Sequence, residues 1–153
     1  MSAKAHEYAL SLLAARGYSR RNLHRNLVRK EFDPREIESA IERLVSSGLL
    51  DDRKYAAEFA RQHLVTGRAS VRRVVQELVR KGIAGDVANV AVAAVMDEEG
   101  VETIGLMERI ARKKLLSLGD LDPAVKRRRL FGFLARRGFE LDDIKRVIGQ
   151  LSL

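Results

Sequence analysis

The chain writes the same helix ending three times. Residues 27–32 read LVRKEF, residues 78–83 read LVRKGI and residues 134–139 read LARRGF, at spacings of 51 and 56 positions. Recurrence at a spacing of this size is the mark of stacked supersecondary units, each too small to bury its apolar face alone. The clearest copy of the helix is 70-SVRRVVQELVRK-81, in which Val71, Val74, Val75, Leu78 and Val79 form one stripe at helical spacing. Ser70 can cap its start, and Gly82 can close it in the left-handed conformation. Fifty-one positions earlier, Ser19, Leu23 and Leu27 match Ser70, Val74 and Leu78. Fifty-six positions later, Leu130, Leu134, Gly138 and Phe139 match Val74, Leu78, Gly82 and Ile83.

An amphipathic segment precedes each of these helices, at about 5–16, 52–66 and 100–117, and another follows, at about 34–47, 85–97 and 141–151. Asp33-Pro34 and Asp122-Pro123 both read as helix starts, since aspartate caps well and proline suits the first helical position. Asp51 and Asp142 open acidic pairs that read the same way. No segment alternates with the period of two that a half-buried strand needs. The expected fold is all-α, in three tandem three-helix repeats at 1–50, 51–98 and 99–153. No apolar run approaches the roughly 18 residues of a membrane span. The N-terminal apolar patch, bracketed by Glu7 and Arg16, reads as a structural helix rather than a signal peptide.

The formal charge is +8, which points to a polyanionic partner or to a protein that sits on one. The middle helices hold most of the cations. They are Arg20, Arg21, Arg25, Arg29 and Lys30 in the first unit, and Arg72, Arg73, Arg80 and Lys81 in the second. In the third they are Lys126, Arg127, Arg128, Arg129, Arg136 and Arg137. The helix after each is acidic, as in Asp33, Glu36, Glu38 and Glu42, or Glu140, Asp142 and Asp143. Two readings fit this segregation. Basic helix ends can meet acidic helix starts internally, to the benefit of both macrodipoles, or the middle helices can line up as a basic track for a partner. The run 126-KRRR-129, relieved nearby only by Asp122, favours the track. Its candidate residues are Arg68, Arg72, Arg73, Arg80 and Lys81, with Lys126, Arg127, Arg128, Arg136 and Arg137.

The chain has no cysteine, which removes disulfides and thiolate chemistry and fits a reducing cytoplasm. His6, His24 and His63 share no ligand spacing and read as surface or packing residues. No nucleotide-binding or hydrolase motif is present. The expectation is a binding protein without cofactor or metal. Tryptophan is absent and aromatics make up only 5% of the chain, poor material for a single-strand stacking platform.

Three stretches carry a family resemblance: 48-GLLDDRKYAAEFAR-61, 67-GRASVRRVVQELVRKGI-83 and 126-KRRRLFGFLARRGFELDDIKRVI-148. In their order and spacing they resemble the RecX family of bacterial regulatory proteins, over about residues 5–151. The resemblance implies an elongated, curved array of three helical repeats. It implies a negative regulator of the RecA recombinase that lodges on the RecA–single-stranded DNA filament. Filament growth, ATP hydrolysis, strand exchange and coprotease activity would be inhibited. A monomer acting in the cytoplasm is expected. The alternative is a basic helical protein that binds single- or double-stranded DNA directly and competes for it. Glu31 departs from the pattern by standing where the other two endings have glycine.

Overall fold

The structure, a computed structural model, describes residues 2–65, 69–98 and 102–153. Nine α-helices and no strands are found among the described residues. They are α1 Ser2–Ala15, α2 Arg20–Arg29, α3 Pro34–Ser46, α4 Asp52–Val65, α5 Val71–Arg80, α6 Gly85–Glu98, α7 Thr103–Leu118, α8 Pro123–Arg136 and α9 Leu141–Gln150. One helix start differs from the sequence reading. Helix α7 starts at Thr103 instead of near residue 100, with Glu102 in extended conformation before it. Helix α8 starts at Pro123, as the Asp122-Pro123 pair indicates, so it runs a turn ahead of the basic run that begins at Lys126.

The helices pack in threes, α1–α3, α4–α6 and α7–α9. The repeated apolar positions do the same work each time. Leu23 and Leu27, Val74 and Leu78, and Leu130 and Leu134 are all fully buried. Burial of each side chain favours folding by about 2 kcal/mol. Val79, placed on the stripe by its spacing, lies at the stripe's edge and is 45% exposed. The second and third triplets share one continuous buried cluster, whereas the first has its own around Leu23, Leu27, Ile37, Ile41 and Leu44.

The recurring hexamer is a left-handed helix cap of one type. In unit two, Ile83 N–H donates to Leu78 O (3.0 Å) and Gly82 N–H to Val79 O (3.0 Å), with Gly82 at φ +95°. Phe139 and Gly138 donate likewise to Leu134 and Ala135, and Phe32 and Glu31 to Leu27 and Val28. This double bond is the Schellman arrangement. Glu31 adopts the same left-handed backbone (φ +63°) without being glycine.

The reason for that difference is the way the units meet. Ser19, N-cap of α2, donates from Oγ to the carbonyl of Lys81, C-cap of α5, at 2.6 Å. Ser70, N-cap of α5, donates to the carbonyl of Arg137, C-cap of α8, also at 2.6 Å. Each serine also accepts its own helix's N–H, from Asn22 and Arg73 respectively. Both serines are buried. The middle helices therefore abut end to end in the order α8, α5, α2, each positive N-terminus against a negative C-terminus. A β-carbon at Gly82 would lie 2.5 Å from Cδ of Arg21, and one at Gly138 3.1 Å from Oγ of Ser70. Glycine is needed at these two caps because a neighbouring helix lands on them. No middle helix lands on the α2 cap, so Glu31 is tolerated there. Lys126 stands where a third serine would be needed, and α8 runs on past it to Pro123.

Candidate functional site

End-to-end contact brings the cations of separate helices together. At the α8–α5 junction Arg136 and Arg137 meet Arg72 and Arg73, and the Arg73 guanidinium donates to the Arg136 carbonyl at 3.0 Å. At the α5–α2 junction the Arg21 side chain lies against Gly82, next to Lys81, whose carbonyl accepts from Ser19. Crowding has an electrostatic cost. Burial, and after it the Arg73 guanidinium, holds Arg137 below the usual arginine range.

Several of the ten sequence candidates have internal work. Arg72 pairs with Glu140 at 3.0 Å, the first residue beyond the Phe139 cap position of unit three. Arg73 and Arg80 flank the same carboxylate, Glu77, at 3.9 and 3.8 Å. Lys81 Nζ lies 5.5 Å from the Phe59 ring centre, and the Arg137 guanidinium 4.4 Å from that of Phe133. Lys30 lies over Tyr8 in the same way, so cap cations stack on aromatic rings in all three units. The internal reading of charge segregation thus accounts for part of unit two. In unit three Lys126 is half-buried, while Arg127, Arg128 and Arg136 are exposed. None of these four has an ion pair among the described residues. Arg68 lies outside the described residues.

Sequence reasoning treated Asp51 and Asp52 as one capping pair, and the structure separates them. Asp51 Oδ1 accepts from the Arg53 N–H (2.9 Å) and caps α4, as expected. Asp52 instead reaches across to unit one and accepts from the Arg20 N–H at the start of α2 (2.8 Å). Ser19 was read only as the counterpart of Ser70, and Ser70 only as a helix cap; neither was read as a tie between units. The available signal was the serine recurring 51 positions apart and missing at 126. His63 is a packing residue, stacked on Phe59 with ring centres 4.0 Å apart. Among the described residues no group of three or more His, Cys, Asp or Glu could hold a metal. No helix among them is long and apolar enough to cross a membrane.

The arrangement can present positive charge along a line of helices. Known proteins share the three helical units and the fold. Models of the first, second and third three-helix domains of RecX match residues 5–44, 51–92 and 104–148. The Regulatory protein RecX of Pelodictyon phaeoclathratiforme is 33% identical over 95% of this chain and 88% of its own length. That of Amycolatopsis mediterranei is 36% identical over 89% of this chain and 76% of its own. The crystal structure of RecX from Lactobacillus salivarius superposes with a TM-score of 0.79 at 21% identity, covering 98% of this chain and 96% of the other. The chain belongs to the RecX family of regulatory proteins.

Proposed function

We propose that this protein is a negative regulator of the RecA recombinase. It binds the RecA–single-stranded DNA filament and inhibits its growth, ATP hydrolysis, strand exchange and coprotease activity. The observation that carries the reading is the end-to-end abutment of three basic helices in a member of this family. A line of cations suits a long polyanionic assembly better than a compact partner does. The functional units are 1–50, 51–98 and 99–153, and the family-domain matches fall inside those bounds. The protein acts as a monomer in the cytoplasm, where such filaments form.

The contact residues are Arg68, Arg72, Arg73, Arg80, Lys81, Lys126, Arg127, Arg128, Arg136 and Arg137. Arg127, Arg128 and Arg136 carry most of the contact, being exposed and without an internal ion pair among the described residues. Their role is electrostatic docking on acidic recombinase surface or on DNA phosphate. The test is the triple variant Arg127→Glu, Arg128→Glu, Arg136→Glu, compared with the parent for retention on preformed filaments. About tenfold weaker retention with unchanged helical circular dichroism is expected. Retention equal to the parent's would dispose of the basic-track reading. Binding to naked DNA that equals binding to the filament, and collapses steeply with salt, would favour competition for DNA instead.

A further inference from the structure

An open groove of about 430 Å3 runs between the first half of α8 and the last turns of α9. Arg127, Arg128 and Lys145 line it together with Phe131, Ile148 and Gly149. Three other grooves among the described residues mix charges. The one at the first unit junction holds Asp51 and Glu58 with Lys54, and the one at the second holds Glu140 and Asp143 with Arg72. A third, beside α6, holds Asp86 with Arg53. The α8–α9 groove has cations alone. All three are exposed, and none has a hydrogen bond or ion pair with another described side chain. Its floor is apolar and firmly based, since Phe131 and Ile148 pack against the buried cluster of units two and three.

Gly149 lines one side of the groove and puts no side chain into it. It lies in the last turn of α9, one residue from the helix end, where a glycine weakens a helix less than in its interior. It is not at a positive φ, and a β-carbon added there would meet nothing within 4 Å. The missing side chain leaves room over the floor beside three unneutralised cations.

We propose that the α8–α9 groove is a docking site for an acidic protein segment that seats one apolar side chain between flanking carboxylates. The apolar floor would take a leucine- or phenylalanine-sized group, and the rim would pair with the carboxylates on either side. A nucleic acid fits less well. Phosphates need only the rim, and Phe131, Ile148 and Gly149 offer no side-chain hydrogen bond to a base edge or sugar. Arg127 is nine residues from Arg136, about 13 Å along α8, so the site is distinct from the helix junctions. Arg127 and Arg128 are shared with the proposed filament contact, but the apolar floor and Lys145 are not, and the groove's preference for an apolar side chain is testable without the recombinase.

The purified chain is titrated into three fluorescent probes at moderate salt. They are a short Asp/Glu peptide with one central Leu, the same peptide with Ser for Leu, and a thymidine oligonucleotide of equal net charge. The Leu peptide is expected to bind about tenfold tighter than the Ser peptide and tighter than the oligonucleotide. Arg127→Glu with Arg128→Glu should weaken both peptides. Gly149→Leu, which fills the groove without altering charge and improves helix propensity, should erase the preference for Leu while melting no lower than the parent. The proposal fails if the two peptides bind alike, if no probe binds, or if Gly149→Leu keeps the preference. An oligonucleotide that binds as tightly as the Leu peptide would make this a nucleic-acid surface and equally overturn it.

Discussion

Removing one buried hydroxyl should loosen the molecule at a place far from it in sequence. In Ser70→Ala the Arg73 N–H loses its cap, and the Arg137 carbonyl, 67 residues away, loses the donor that ties α8 to α5. The cap is worth about 1 kcal/mol and the second bond a further 0.5–1.5 kcal/mol or so. The sum is about 2 kcal/mol. For a chain of this size, each kcal/mol lowers Tm by roughly 2–4 °C, so a fall of about 4–8 °C is expected. Ser19→Ala should fall similarly, because its two bonds have the same lengths as those of Ser70. Ser11→Ala is the control. Its hydroxyl also bonds a carbonyl, that of Tyr8 at 2.6 Å, but within one exposed helix turn, and it should cost under about 0.5 kcal/mol. Thermal melts followed by circular dichroism read all three. A second layer comes from Gly138→Ala, whose β-carbon would stand 3.1 Å from the Ser70 hydroxyl. Its cost should shrink in the Ser70→Ala background, a coupling of about 0.5 kcal/mol or more. Equal melting of Ser70→Ala, Ser19→Ala and Ser11→Ala would refute the serine tie between units.

Three further expectations follow from named contacts. Gly82→Ala should destabilise by at least about 1–2 kcal/mol, from its left-handed backbone and the collision with Arg21, whereas Glu31→Gly should be neutral or stabilising; urea midpoints decide. Arg72→Ala breaks a pair whose side chains are 60% and 70% exposed, so it should cost only about 0.2–1 kcal/mol, and less at high salt. Burial pushes the Tyr55 phenol up from its ordinary 10.0, Asp52 adding and Arg16 opposing. The fold thus holds that proton more tightly than the unfolded chain does. Stability should be intact below pH 10 and fall as pH rises from there through the folded value. Tyr55→Phe should flatten that alkaline slope in pH-dependent melts.

The fold was readable because its signals are local. An apolar stripe and a left-handed cap occupy a dozen neighbouring residues, and three copies written in one order leave few alternatives to three helical units. The direction of stacking was not readable. It rests on bonds between residues 62 and 67 positions apart, made by serines that look like ordinary caps. Glu31 departs from the repeat because it sits at the α2 cap, where no middle helix lands, and Lys126 stands at the α8 position where no serine tie is made. The candidate site divided in the same way. Its cations could be counted in the sequence, yet Glu140 lies 68 residues from the arginine it neutralises. The groove beside Gly149 is formed between two helices, which the periodicity of either one does not register.

The most direct test is DNA-dependent ATP hydrolysis by the cognate RecA recombinase, with this protein titrated in at moderate salt. DNA is held well above what the protein alone could cover. The expected result is inhibition well below one protein per recombinase subunit, as a regulator acting on the filament would give. No inhibition, or inhibition that added DNA relieves, would contradict that function and leave the three helical units as a statement about fold.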